Sequence, residues 1–520
     1  MISTKPKNSH CMNKIRYIFI LCLMCFGMAA SAQTYEQVRR RNVWSTSDNI
    51  NGMRLDTAAV SYAELAGSYA AGEFRDTWQP QRSWSAGAST ASIRHLEDMT
   101  LTGGFSFGQT QGYDMCGSMF INPGMFPVDV LEFTPGRKVL QTYKFDGGLS
   151  YDLLSNLKIG AMMDFKSANI AKRKDLRHAN YQLDMTVSPG VLYQDGNFTF
   201  GANYILRKVS ETIEPKQVGT KVSSYDAFLD KGMMYGVYSV WSGSGLHLDE
   251  AGVGGFPVKE MHSGAAVQVQ YKDLYAEVEY SRLSGTIGEK DFIWFRYPGN
   301  EVTVLSGYKF AVGDAMHYLR LEYGWKNVDL RENVLEKVTE GGVTNVYNHG
   351  FNHILAKSQW RLHPEYEYVS EMLDILVDAA FDKRRSVSTQ MYPYIYKESL
   401  MTWSVGAEVK MYLAKMGLAR LKGFELDAGV RYRDGAVSEL SQLAAEVSGV
   451  QTEPFRLQEW YDRQMEFATA SAVEAKVALR YSFWKGMYAK ASGEWHHGLN
   501  LKYIPGRTRA TAALSIGLDF

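Results

Sequence analysis

From Val60 to the C-terminus the chain repeats a pattern that few folds can accept. Segments of about ten to fourteen residues alternate apolar and polar side chains, roughly twice the usual strand length in soluble domains. Period-two alternation sends successive side chains to opposite sides of an extended chain, so each segment has one oily and one polar face. In the last segment Ala510, Ala512, Leu514, Ile516, Leu518 and Phe520 share one face, and Thr511, Ala513, Ser515, Gly517 and Asp519 the other. The same split sets Met401, Trp403, Val405 and Val409 against Glu408 and Lys410. It sets Phe424, Leu426, Val430 and Tyr432 against Glu425, Asp427, Arg431 and Arg433, and Val473, Val477, Leu479 and Tyr481 against Glu474, Lys476 and Arg480.

In a soluble sandwich the apolar faces would pack on each other. Two observations favour a closed barrel in a bilayer instead. Aromatic residues gather at strand ends (Tyr432, Tyr481, Phe483, Trp484, Trp495, Phe520), as in interfacial girdles. Very short connections also alternate with long ones. After the N-terminal leader no stretch approaches the roughly 20 apolar residues of a spanning helix, so any spanning is done by strands. The fold expected is all-β: a transmembrane antiparallel β-barrel with an even strand number, about 20, with 16 or 18 also compatible.

Lys14 and Arg16 precede an apolar run from Tyr17 to Met28 and then Ala30-Ser31-Ala32. This is the pattern of a Sec signal peptide over residues 1–32, cleaved after Ala32, with the cell outer membrane as destination. Residues 33–59 read as a periplasmic N-terminal segment or a small plug, and 60–520 as the barrel. Of four cysteines only Cys116 remains after the leader, which excludes an internal disulfide or a thiolate metal cluster. With 56 basic and 56 acidic residues the formal charge is zero, so nucleic acid is not an expected partner.

Parity orders the connections. With Phe520 at the periplasmic end, turns on that side fall at Trp484-Lys485-Gly486, 414–422, Lys383-Arg384-Arg385, Gly313-Asp314, Lys272-Asp273, Asp195-Gly196, Leu154-Ser155-Asn156 and Leu96-Glu97. The long outer loops are then 110–138, 212–262, 285–299 and 435–468. Loop 212–262 is rich in glycine and aromatics, which suits a compact cap over the mouth. Its Lys231, Tyr235, Trp241, His247 and Lys259 are the constriction candidates. Glu408, Lys410, Arg431, Arg433, Lys476 and Arg480 face the expected lumen and would form a pathway by electrostatics. Phe520 is the assembly signal.

Catalytic and metal signals are weak. His349 and His353 have i, i+4 spacing but sit in a Gly and Asn turn, and His496-His497 ends a strand. Lys172-Arg173-Lys174 with Arg177 reads as a solvated basic loop. No catalytic residue, metal site or cofactor is assigned.

The stretches Lys174-Asp175-Leu176-Arg177, Val187-Ser188-Pro189-Gly190, Phe228-Leu229-Asp230-Lys231-Gly232 and Gly285-Thr286-Ile287-Gly288-Glu289-Lys290 carry a resemblance. Through them the mature chain resembles a Bacteroidota outer-membrane β-barrel family called domain of unknown function 6850. The resemblance implies location and fold, and supplies no reaction or ligand. The function expected is a non-enzymatic channel or transporter for small solutes with a loop-restricted lumen. The alternatives are an accessory barrel beside an iron or haem uptake system and, third, an outer-membrane hydrolase. Expected partners are outer-membrane lipid, the barrel-assembly machinery and nutrient-uptake proteins.

Overall fold

A computed structural model describes residues 34–520 apart from 175, 217–225, 235, 241–254, 391 and 441–456. The leader, and with it the cleavage site, lies outside the described residues. Alternation becomes twenty strands: β1 (Val60–Gly72), β2 (Arg82–His95), β3 (Met99–Ser118), β4 (Asp129–Leu154), β5 (Leu157–Lys172), β6 (Arg177–Asp195), β7 (Phe198–Lys216), β8 (Asp226–Asp230), β9 (Gly236–Val240) and β10 (Phe256–Tyr271). The second half adds β11 (Leu274–Glu289), β12 (Phe292–Val312), β13 (Ala315–Glu340), β14 (Val343–Val369), β15 (Leu373–Ser388), β16 (Tyr396–Tyr412), β17 (Phe424–Leu440), β18 (Ala472–Trp484), β19 (Met487–Gly498) and β20 (Thr508–Asp519). Two helices, α1 (Tyr35–Arg41) and α2 (Leu457–Thr469), complete the described elements of length. No helix among the described residues is long and apolar enough to cross a membrane.

Eighteen strands form the barrel. Each pairs antiparallel with its chain neighbour, β7 pairs β10 directly, and β20 pairs β1 from Tyr62↔Asp519 to Gly72↔Arg509. Closure leaves the ring without an edge strand, which is what a sheet needs in hydrocarbon. The outward faces are the apolar ones: Leu514 is 70% exposed, Leu65 60% and Val267 59%. The inner faces are mainly polar or glycine, with apolar side chains such as Val209, Phe256, Leu283 and Leu305 where folded segments pack against them.

The register corrects several expectations. The strand number, eighteen, lies within the even range of 16 to 20 expected; the corrections concern where strands end. Lys383-Arg384-Arg385 lies inside β15, and the turn is at 370–372. The outward face of β15 runs Val377, Ala379, Phe381, Lys383, Arg385, so these charges mark the upper rim of the apolar belt. The stretch 285–299 is a hairpin end turning at Lys290-Asp291, and loop 110–138 shrinks to 119–128. Residues 212–216 and 256–262 are strand, so the connection expected over 212–262 spans 217–255. Lys259 therefore stands on β10, where Val258 and Glu260 are buried inward and Lys259 points out, 3.8 Å from Glu289. The remaining turns predicted on the C-terminal side all fall there.

β13 and β14 outrun their neighbours. Pairing with β12 ends at Phe295↔Glu332 and with β15 at Leu355↔Ser388, so the tip of this hairpin stands above the barrel rim.

Candidate functional site: an occluded lumen

The lumen is closed from both ends by folded pieces of the same chain. At the short-turn end, residues 34–57 fold inside the wall. Thr34 starts α1 with a capping box: its hydroxyl accepts from the Gln37 N–H, and the Gln37 side chain accepts from the Thr34 N–H. Two 3-10 turns follow, Val43–Thr46 and Ile50–Leu55. The segment is seated largely by polar contacts. Arg41 Nη2 lies 2.7 Å from Asp374 Oδ2 and 3.2 Å from Glu367 Oε1. Trp44 Nε1 donates to Gln270 at 2.5 Å, and the Ser47 hydroxyl donates to Glu277 at 3.2 Å. Asn49 Nδ2 donates to Gln268 and to the Val191 carbonyl, both at 3.0 Å. The Ser150 hydroxyl donates to Asn51 at 2.7 Å, and Arg54 pairs with Asp152 at 2.7 Å.

Four inward glycines on adjacent strands shape the seat. A Cβ at Gly148 would lie 2.7 Å from Ile50, and one at Gly160 2.7 Å from Asn51 Oδ1. At Gly190 and Gly201 it would meet Asn49 at 2.8 and 2.9 Å. The fully buried apolar anchors are Val38, Trp44, Ile50 and Met53, with Tyr35, Val43 and Leu55 partly buried against the same clusters.

The long-loop end is closed differently. Met119, Phe120, Phe126 and Val128 fold inward from loop 119–128. Phe228, Leu229, Met233 and Met234 come from the β8–β9 hairpin, which pairs with β4 at Asp129↔Asp230 through Glu132↔Ala227. Leu457 and Tyr461 come from α2. These pack on inward side chains of the wall such as Val209, Phe256, Leu283, Phe295 and Leu355 to make a protein-like core. At roughly 1.5–3 kcal/mol per buried side chain, the ten inserted residues give the mouth more apolar anchoring than the four fully buried ones give the floor, whose seat is mainly polar. Burial pushes the Asp230 carboxyl up to about 6.

Between the closures the wall is lined by paired charges. Lys410 pairs with Glu425 at 3.0 Å and Arg431 with Asp378 at 2.7 Å. Lys476 pairs with Glu408 across β16–β18, and Arg480 with Asp519, its guanidinium 3.8 Å above the Tyr488 ring. Arg433 sits higher, between the rings of Phe74 and Phe467, and donates to the Phe467 carbonyl at 3.3 Å. These six side chains lie on the strand faces opposite the apolar ones. On the adjoining wall, β11 to β14, a cavity of about 280 Å³ is lined by Asp48, Glu277, Glu279, Arg320, His363 and Glu365, among others. Burial, then the charge of Glu277, raises the Asp48 carboxyl above its ordinary value.

Of the constriction candidates, Lys231 sits in the inward hairpin and pairs with Glu332 at 2.5 Å. Tyr235, Trp241 and His247 lie outside the described residues. His349 and His353 face different carboxylates, Glu336 at 2.6 Å and Asp329 at 3.0 Å. His496 contacts Glu474 at 3.4 Å, and His497 stacks on Trp495. Lys172 is buried against Glu132 rather than solvated, because β5 carries it inward beneath loop 119–128. Sequence reasoning offered a small plug as one of two readings of 33–59 without locating its seat, and missed the inward fold of loop 119–128. The signals were present: glycine at inward positions of four consecutive strands, and an apolar connection (Met119, Phe120, Met125, Phe126) where a polar one is usual.

A closed eighteen-stranded ring with an apolar outside and a largely polar inside is a transmembrane β-barrel. The chain belongs to a family of unknown function, DUF6850, whose model matches residues 52–520. Among solved structures it is similar to the outer membrane protein opdK from Pseudomonas aeruginosa, at 10% identity over 89% of this chain and 99% of that one, TM-score 0.33. It is also similar to the ferric yersiniabactin uptake receptor FyuA from Yersinia pestis, at 9% identity over 89% of this chain and 80% of that one, TM-score 0.42. No curated protein matches the chain. The fold assignment rests on the strand pairing itself.

Proposed function

We propose that the protein is a non-enzymatic outer-membrane barrel that passes small solutes and rests closed, with residues 34–57 as a displaceable plug. In this reading the chain is exported by Sec and cleaved after Ala32, in a Gram-negative cell, a Bacteroidota one by the resemblance noted in the sequence. The barrel-assembly machinery inserts it through the strand ending at Phe520, with both termini periplasmic and the long-loop end outside. The observation that carries the reading is how the floor is seated. Hydrogen bonds and ion pairs from Gln37, Arg41, Ser47, Asn49 and Arg54 are contacts that water or a polar solute can replace at modest net cost, whereas the apolar mouth has no such substitute. Behind the floor, the paired charges of Glu408, Lys410, Arg431, Lys476 and Arg480 give a polar solute a wall to move along.

Planar-bilayer conductance tests it. The full chain is expected to be silent; Arg41→Gln frees the floor, and openings are expected once the apolar mouth is relieved by removal of 217–255 in that variant. Silence of the variant with that removal would sink the solute-passage reading. Orientation is tested separately: a cysteine at Tyr392, which is 88% exposed in the 389–395 connection, is expected to react with an impermeant maleimide on intact cells, and one at Asp273 is not.

A second reading is an accessory barrel standing beside a nutrient-uptake receptor for iron or haem. The apolar core in the mouth favours it, since such a core leaves the outer end shut while the floor opens. Recovery of a receptor with the barrel from native membranes, together with bilayer silence, would select this reading.

A further inference from the structure

Pro298 and Pro364 stand in mid-strand with their rings outward. Proline has no N–H to give the ladder, so pairing lapses beside each. β12 and β13 are unpaired between Arg296↔Arg331 and Gly299↔Val328, and β14 and β15 between Leu362↔Phe381 and Glu365↔Asp378. Each lapse leaves a hollow in the outer wall.

The two hollows differ in chemistry. The one at Pro298, about 450 Å³, is lined by Tyr280, Arg282, Asn300, Asn327, Asp329 and Arg331. The one at Pro364, about 440 Å³, lies nearer the short-turn end and is walled by Leu274, Leu321, Tyr366, Val377 and Val405. Between them the outward side chains of β11–β13 include Val278, Val302, Val304, Tyr323 and Trp325. One stripe of wall thus runs from polar and cationic above to apolar below, crossing the level where the belt gives way to charged residues.

The upper hollow is arranged for an anion. Arg282 is exposed and forms no ion pair among the described residues. Arg331 is shared with Asp329 at 2.8 Å, which His353 also contacts at 3.0 Å. The ring of Phe351 backs the Arg331 guanidinium at 5.0 Å. Tyr280 donates to Asn300 at 2.8 Å and Asn300 to Asn327 at 3.2 Å, which fixes the floor of the hollow. Two guanidinium groups against one carboxylate leave a surplus positive charge, and guanidinium forks match phosphate oxygens.

We infer that this stripe is a binding site for a phosphorylated membrane lipid. The phosphate sits between Arg282 and Arg331, and the acyl chains descend over Val278, Val304 and Tyr323 into the Pro364 hollow. The inference rests on the reading that the long-loop end meets the outer leaflet; the Tyr392 labelling above tests that orientation independently, so the two failures are distinguishable.

The test uses the full chain in detergent with three probes: lipid A bearing both phosphates, the same lipid with its phosphates removed, and inorganic phosphate. Native mass spectrometry is expected to show the phosphorylated lipid retained. Arg282→Gln and Arg331→Gln should each weaken retention about tenfold or more, the scale of a charge-assisted contact. Asp329→Asn should strengthen it several-fold by releasing Arg331 from its carboxylate, a gain that a merely structural role would not give. If Arg331→Gln fails to assemble, the exposed and unpaired Arg282 carries the test through its own variant. Equal retention by the double variant, or of the dephosphorylated lipid, overturns the inference. Displacement of the lipid by millimolar inorganic phosphate also overturns it, by identifying a free-anion site instead.

Discussion

Replacing Arg41 with Gln should loosen the floor of the barrel without unfolding it. The Arg41, Glu367 and Asp374 side chains are only 7%, 6% and 9% exposed, so the two carboxylates would lose their main partner in a poorly solvated place. Removing one member of a buried pair costs about 3–5 kcal/mol. The lower end applies here, because Asp374 keeps the Tyr412 hydroxyl at 2.8 Å and Gln37 at 3.3 Å, and Glu367 keeps Arg40 at 3.6 Å. About 3 kcal/mol corresponds to roughly a 150-fold rise in the unseated population. The assay is thiol labelling at Ser47→Cys in a Cys116→Ser background, since Ser47 is buried against Glu277 while the segment is seated. Labelling is expected to accelerate towards that factor, and the swap Arg41→Asp with Asp374→Arg to slow it again. An unchanged rate in a barrel that still shows heat-modifiable migration would refute the assignment of this ion pair as the latch.

Leu514→Arg or Ile516→Arg places a charge on the lipid face at a cost of about 2–4 kcal/mol and should reduce assembled barrel, whereas Ser515→Arg, on the inner face beside Glu64, should be milder; equal yields would contradict the face assignment. Deleting Phe520, whose N–H donates to the Ser61 carbonyl at the closing seam, should lower outer-membrane yield while export continues, as read by fractionation. The Asp230 carboxyl is raised by burial, so its contribution to stability is full below its ordinary value near 4 and lost as pH rises through about 6. Asp230→Asn should accordingly flatten the difference between urea midpoints at pH 4.5 and 7.5, and an unaltered difference would show that another group sets it.

The sequence alone determined the barrel and its two faces. Period-two alternation fixes which side of each strand meets lipid, so Leu514, Val405 and Val477 could be placed outside, and Glu408, Arg431 and Lys476 inside, before any fold was drawn. Alternation says nothing about where a strand ends once both faces leave the bilayer. That is why Lys383-Arg384-Arg385 looked like a turn and why 285–299 looked like a loop. Nor does it reveal what fills the lumen. The stretch Trp44 to Leu55 is polar enough to pass for a tail, and only the closed ring brings Gly148, Gly160, Gly190 and Gly201 side by side to receive Ile50, Asn49 and Asn51. Loop 119–128 and the β8–β9 hairpin become a core because barrel closure presents them with inward apolar side chains from strands distant in the chain. Local periodicity is a property of neighbouring residues and is legible in one dimension; a seat built from separate strands exists only after the barrel has closed around it.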